Sequence, residues 1–340
     1  MLRQRINFAW LTAGGRSHIN TARDSGAGAL LITPERFVLL ASNIEARRLM
    51  EEELTEVPVE VAEYPWHDGD GERQLLDVLT RDHAGLCVDT APGVGSAVAA
   101  MRSSLLEPEV RRLEELGRIT GQIVEAVCRQ AEPGRTEYDL AASIHVAALS
   151  HGARVPVCLV ASDDRIAARR HPLPTARAIK TRAMVAVCIE RAGLICSVTR
   201  LVSFVPLPDE MRRRHDAVCH VDTVAVTGTR VGRPLHDVFA EIVEAYARVG
   251  FPEEWRQHHQ GGSTGYLPRE IIASPASGAV VQINQPFAWN PSIAGTKSED
   301  TIIARAEGFT WITTPGPDWP SLSIEINGRA VRRPDILLMM

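Results

Sequence analysis

The sequence predicts an α/β N-terminal domain followed by an α+β C-terminal domain with an internal pseudo-two-fold repeat. Three observations carry this. Short apolar runs alternate with helical stretches from Ile6 to about Ser103. Beyond them a unit of helix, Gly-Arg turn and helix recurs, with Gly134 and Gly232, Asp139 and Asp237, and Gly152 and Gly250 each 98 residues apart. Between the two copies, Met184 to Phe204 reads as a β-hairpin with both strands buried.

In chain order, strands are expected over Gly28 to Thr33, Phe37 to Ala41, Val57 to Ala62 and Gly85 to Val88, with helices over Ile44 to Leu54 and Gln74 to Leu79. The polar stretch Arg102 to Glu109, punctuated by Pro108, marks a boundary between domains 1–105 and 106–340. A helix over Val110 to Gln130 follows from Leu113, Leu116, Ile119, Ile123 and Val127 at helical spacing. Thr136 suits the cap of the next helix, with Asp139 three residues on. In the hairpin, a turn over Glu190 to Gly193 would set Cys188 opposite Ile195 and Ala186 opposite Ser197.

Composition excludes several classes. A net charge of −5 offers no basic face for nucleic acid and no polybasic membrane patch. No stretch approaches the roughly 18 apolar residues of a membrane span, and the first ten residues lack the apolar core of a signal peptide. The six cysteines lack paired spacing and read as core thiols of a cytoplasmic protein. Only Lys180 and Lys297 are lysines.

The hairpin resembles the central one of the pita-bread family, which contains methionine and Xaa-Pro aminopeptidases, prolidase and creatinase. Gly193-Leu194 takes the family's Gly-Tyr place, and Cys196-Ser197-Val198-Thr199-Arg200 takes its Ser-Asp-x-Thr-Arg place. The two metal-bridging aspartate positions therefore fall on Ala186 and Ser197, neither of which binds a divalent cation as a carboxylate does. Asn7-Phe8-Ala9-Trp10-Leu11-Thr12 is similar to the start of the creatinase-type N-terminal domain. In the family that domain supports dimerisation and can lend residues to the partner's site, which makes Arg16 a candidate substrate contact.

Four further stretches should converge on the hairpin. His171, followed by Pro172-Leu173-Pro174, stands 15 residues before Ala186, where the family has a substrate-contacting histidine that is the general acid and base of metal-free creatinase. Imidazole suits both proton transfers because it titrates near neutrality. Gln257 to Tyr266 resembles the family's His-x-x-Gly-x-x-x-His run, with His259 at a metal-ligand position and Tyr266 in place of the second histidine. Because alternate residues of a strand face opposite ways, His258 is expected to support the fold. Asn290, in Gln285 to Ser292, replaces a glutamate ligand, while Gly295 to Thr301 keeps one in Glu299, beside Lys297. One His and one Glu fall short of the three protein ligands usual in a catalytic zinc site.

The resemblance therefore implies a creatinase-like hydrolase of a carbon–nitrogen bond in a small polar molecule, working without a metal or cofactor. His171 would be catalytic, with His259, Glu299, Asn290, Ser197, Tyr266, Lys297 and Arg16 binding the substrate. A homodimer is expected. Thr199 departs from the carboxylate expected to hold a guanidinium, so creatine itself is not the expected substrate. The alternatives are a metal-dependent Xaa-Pro aminopeptidase or prolidase acting on short peptides, a lyase, cyclase or isomerase on the same fold, and a degenerate pocket that only binds a peptide or partner.

Overall fold

In the computed structural model, which describes every residue except Asn327, the chain divides into two units, Met1–Arg102 and Ser103–Met340. The first contains β1 (Leu2–Gln4), α1 (Arg5–Leu11), β2 (Ser25–Ile32), β3 (Phe37–Ser42), α2 (Ala46–Arg48), β4 (Glu60–Tyr64), α3 (Gly71–Leu79) and α4 (Pro92–Arg102). Its sheet runs β1-β2-β3-β4, with only the β3–β4 pair parallel. Phe8 of α1 packs with Leu30, Leu39 and Leu49 in the fully buried core. Gly85–Val88 forms no strand. The Met1 ammonium donates to Cys87 O at 2.7 Å and Asp89 N–H donates to Met1 O at 3.1 Å, so this segment anchors the N terminus instead of joining the sheet.

The second unit opens with α5 (Glu107–Arg129), α6 (Glu137–Ser150), β5 (Arg154–Ser162), α7 (Asp164–Ala168), β6 (Arg182–Arg191) and β7 (Leu194–Ser203). The motif then repeats as α8 (Asp209–Gly228), α9 (Leu235–Arg248), β8 (Gly261–Ser263), β9 (Ile271–Ile272) and β10 (Pro286–Trp289). There follow β11 (Ser292–Ile293), β12 (Thr296–Lys297), β13 (Asp300–Arg305), β14 (Gly308–Trp311), β15 (Ser321–Ile326), β16 (Arg329–Pro334) and β17 (Leu337–Leu338). The two halves share their hydrogen bonds. Gly134 N–H donates to Ile179 O and Ile179 N–H to Arg135 O, just as Gly232 N–H donates to Val281 O and Val281 N–H to Arg233 O. The Thr136 cap forms as the sequence requires, its hydroxyl accepting from Asp139 N–H at 3.1 Å.

Two sheets, β17-β7-β6-β5 and β14-β13-β10-β8-β9, carry the pocket. Both faces of the β6–β7 hairpin are covered, which explains its nearly unbroken apolar run. Val185, Val187, Ile189, Cys196 and Val198 are all buried to 1% exposure or less, each aliphatic side chain contributing about 1.5–3 kcal/mol. The register differs from the expected one. Ala192 and Gly193, at φ 50° and 80°, make a two-residue turn flanked by Arg191 and Leu194, a geometry whose twist matches that of paired strands. Cys188 therefore pairs with Ser197 and Ala186 with Thr199. The slip is two residues, so the same side chains still face the same side. No helix among the described residues is long and apolar enough to cross a membrane.

Candidate active site

The loop after α7 delivers His171. Its neighbour Pro172 accepts a hydrogen bond from Val160 N–H of β5 at 3.1 Å, holding the loop against the sheet. The wholly buried Glu137 carboxylate at the start of α6 accepts from Ser162, Thr175 and Arg165, fixing the rest of that loop. Arg170 bonds Ser292 Oγ at 3.0 Å and pairs with Glu254 in the 3-10 turn Glu254–Gln257. That turn leads directly into His258 and His259, so one salt bridge draws two distant histidine segments together.

All three imidazoles meet. His171 Nε2 lies 2.9 Å from His258 Nε2, and the His258 and His259 rings stack at 4.4 Å between centroids, 24° from parallel. The expectation that His258 and His259 face opposite ways is thus corrected. They precede the strand rather than lying in it, and Gly261 and Gly262, at φ 101° and 150°, begin β8 in a conformation without regular alternation. His171 is exposed at its outer edge, while the side toward His258 is desolvated. That desolvation, then Lys297, lowers its pKa below 6.5. Burial and the cations Arg269 and Lys297 push His259 down to about 4. His258 is lowered further, by burial and then Lys297. Burial and the neighbouring cations thus favour the neutral form of all three rings.

Across the pocket, Glu299 is 4% exposed and fully engaged. Its Oε2 accepts from Lys297 Nζ at 2.9 Å and from Thr199 Oγ1 at 2.6 Å, and its Oε1 from Arg269 Nη2 at 2.9 Å. Burial would raise this carboxyl, but Lys297, then Arg269 and the Thr199 hydroxyl, overcome it and hold the pKa at about 2. Asn290, after β10, is 2% exposed, and its Oδ1 has no partner.

His171, His259, Asn290, Lys297 and Glu299 all line one pocket of about 120 Å³, together with Ala186, Cys188 and Arg269. Ser197 lies behind that wall. It is wholly buried, with Oγ 3.3 Å from Cys188 Sγ and 3.4 Å from Arg269 Nη1, so it reaches the pocket through those side chains. Tyr266 is not brought to the site. Its hydroxyl donates to Glu109 Oε1 of α5 at 2.6 Å, because the turn after Ser263 directs the ring into the core. Arg16 belongs to the first unit, where it pairs with Glu53 at 2.9 Å. Arg269, which sequence reasoning missed, sits in the loop Leu267–Glu270 with no motif around it. The only signal was an arginine shortly after a glycine-rich stretch.

The chain matches the model of metallopeptidase family M24 over residues 111–326. Among solved structures it resembles the prolidase from Pyrococcus horikoshii OT3, with a TM-score of 0.78 and 17% identity over 93% of this chain and 94% of that one. It equally resembles the Xaa-Pro dipeptidase from Bacillus anthracis, with a TM-score of 0.78 and 17% identity over 99% and 94% of the two chains. An uncharacterised peptidase of Staphylococcus aureus strain MW2 is 24% identical over 68% of each chain. These likenesses show the fold, an N-terminal α/β domain with a pita-bread C-terminal domain.

A metallopeptidase family implies a metal, and the residues here do not fit its dinuclear centre. Of the five ligand positions, Ala186 and Ser197 carry no strong cation ligand, Asn290 offers only a neutral amide, and the Glu299 carboxylate is already engaged by two side-chain cations. The ligand atoms of His171, His258 and His259 do lie within 4.8 Å of one another. However, the His171–His258 bond commits one of the two facing nitrogens to a proton, and Lys297 and Arg269 raise the potential of the same space. Chemically this arrangement offers a neutral base at the rim, a neutral imidazole relay behind it and a cationic wall opposite.

Proposed function

Because the chain belongs to metallopeptidase family M24, it is a hydrolase of carbon–nitrogen bonds, and we propose that it performs this chemistry without a metal ion on a small polar substrate, as creatinase does. The observation that carries the reading is the Lys297–Glu299–Arg269 cluster, which puts two fixed cations on the one carboxylate left from the ligand set. His171 takes a proton from water as that water adds to the carbon of the C–N bond. The bond then breaks, and His171 returns the proton to the leaving nitrogen. Lys297 and Arg269 offset the negative charge that develops on the attacked group. His258, bonded to His171, fixes its ring and tautomer.

His171→Ala should abolish turnover while the protein stays folded by circular dichroism. Elemental mass spectrometry on protein purified without chelator should find no stoichiometric transition metal, and EDTA should leave activity unchanged. Near-normal activity in the variant would sink the role of His171. A stoichiometric metal whose removal ends activity would favour the second reading, a metal-dependent Xaa-Pro dipeptidase, which draws support from the retained His259 and Glu299 positions and the three clustered histidines. We place the site in domain 106–340, in a homodimer located in the cytoplasm, with Arg16 of the N-terminal domain as the candidate link to a neighbouring subunit. Six free thiols support a reducing compartment, and light scattering tests the dimer.

A further inference from the structure

We propose that Arg333 of the C-terminal hairpin and Asp222 of α8 are positioning residues for the pocket: through Ser298 they hold the segment that presents Lys297 and Glu299, although neither lines the cavity. The inference rests on the hydrolase reading for what the pocket does. It deepens that reading by extending the working site to β16, beyond the family match that ends at residue 326.

The segment 296–300 has two faces. Lys297 and Glu299 line the pocket, while Thr296, Ser298 and Asp300 bond on the other side, in the alternation of an extended chain. There Thr296 Oγ1 lies 2.7 Å from His215 Nδ1, and Ser298 Oγ donates to Asp222 Oδ2 at 2.5 Å. His215 and Asp222 stand seven residues apart on α8, about two turns along one face. Arg333 closes the arrangement. Its guanidinium lies over the Trp311 ring at 4.5 Å, and its Nη2 meets Asp222, Ser298 Oγ at 3.1 Å and Asp300 Oδ2 at 2.9 Å. Lys297 is therefore flanked by two residues tied to α8, one of which is also tied to the last hairpin.

Stability alone does not account for this network. Ser298, Asp222 and Arg333 are 4%, 0% and 1% exposed, and Asp222 Oδ1 and Arg333 Nε are buried with no partner. A buried ion pair is often no more stable than apolar residues of the same volume, and each unfilled polar atom adds a desolvation cost. What the network supplies is direction. Apolar packing would let the segment slide, whereas bonds to Ser298 from two elements fix where its neighbours point. The pocket needs that precision: Lys297 Nζ meets Glu299 at 2.9 Å, and a misplacement of about 1 Å can cost about a hundredfold in rate.

Lys180 and Lys297 are the only lysines of the chain, so full-length protein carrying carbon-13 at lysine Cε gives two side-chain resonances, which Lys297→Met assigns. Arg333→Gln should shift the Lys297 resonance and leave that of Lys180 in place. Ser298→Ala, a milder change that keeps both charges, should shift it too. Arg333→Lys should stay nearer the native position than Arg333→Gln, because one nitrogen makes the contacts and an ammonium carries three donors. Arg332→Gln, on the same strand but exposed and bonded to Ser321, should shift neither. On any small amide or ureide that the protein hydrolyses, kcat/KM should fall by about tenfold or more in Arg333→Gln and Ser298→Ala. A merely structural role would lower the urea midpoint without either change. A Lys297 resonance at its native position in the folded variants, or native kcat/KM in both, overturns the positioning and leaves the hydrolase reading. A shifted resonance in a protein that hydrolyses no amide, peptide or ureide keeps the positioning and removes that reading.

Discussion

Replacing Glu299 by Gln removes the charge on which Lys297 and Arg269 converge, and its cost can be worked out from the site. A carboxyl held at about 2 rather than its ordinary 4.5 gains about 3 kcal/mol from its surroundings. Breaking a buried pair by deleting one partner typically costs about 3–5 kcal/mol, because the other charge is left without compensation, and here two cations are left. E299Q should therefore lose about 3–5 kcal/mol of the ~5–15 kcal/mol that stabilises a domain, read as a lower urea midpoint at unchanged slope. The native carboxyl titrates below its unfolded value, so its contribution is present above about pH 4.5 and fades as pH falls toward 2. The deficit of E299Q should shrink over that window. Adding Lys297→Met should recover part of the loss, with a coupling of about 1–3 kcal/mol in the double-mutant cycle. The deficit must be the same in EDTA as in metal-supplemented buffer. A loss below about 1 kcal/mol, or one that appears only when metal is supplied, would refute the view that these cations replace a metal.

Three other outcomes are expected. The acid limb of kcat/KM should have its midpoint below pH 6.5, since His171 must be neutral to accept a proton and its pKa is lowered by burial and then by Lys297. K297M should move that limb to higher pH and E299Q to lower pH, so shifts of the same sign in both variants would refute the assignment. Thr136→Ala should cost about 1 kcal/mol in thermal or urea unfolding by removing the α6 cap, without changing KM. Ala192→Gly should stabilise by about 0.5–1 kcal/mol, because Ala192 sits at φ 50° where a Cβ is strained, and a loss of stability would contradict that turn.

Legibility in the sequence followed how local the cause was. The repeat could be read because each copy needs its Gly-Arg turn at the same place, and the hydrogen bonds of Gly134 and Gly232 explain why. His171, His259, Asn290, Lys297 and Glu299 could be placed together because each sits in a short motif fixed to a strand or its edge. The register could not, because a two-residue turn through Ala192 requires a left-handed alanine, which propensity disfavours. The direction of His258 depended on two glycines that follow it, and that of Tyr266 on Glu109, 157 residues away. Arg269 was hidden for a related reason. Its role comes from meeting Glu299 in space, 30 positions along the chain, and the residues between carry no trace of that contact.

The frame around the pocket explains how the ligand set could change while the fold stayed. Immediately beyond Glu299, Asp300 receives Arg200 at 3.1 Å and Arg333 at 2.9 Å, and Arg333 also pairs with Asp222. All four side chains are 1% exposed or less, and Arg200 also meets Glu125 Oε1 of α5 at 3.5 Å, so two arginines face three carboxylates. This lattice joins β7, β13, β16, α5 and α8, and each arginine finds its carboxylate partners within the chain, so it does not require the pocket to be filled. The pocket differs in one respect, having two cations to one carboxylate. A cluster of carboxylates needs divalent cations to offset its repulsion, whereas a cluster with surplus side-chain cations needs an anion. On the proposed metal-free reading, Ala186, Ser197 and Asn290 at the acidic ligand positions, with Lys297 and Arg269 on Glu299, change the sign of the missing charge.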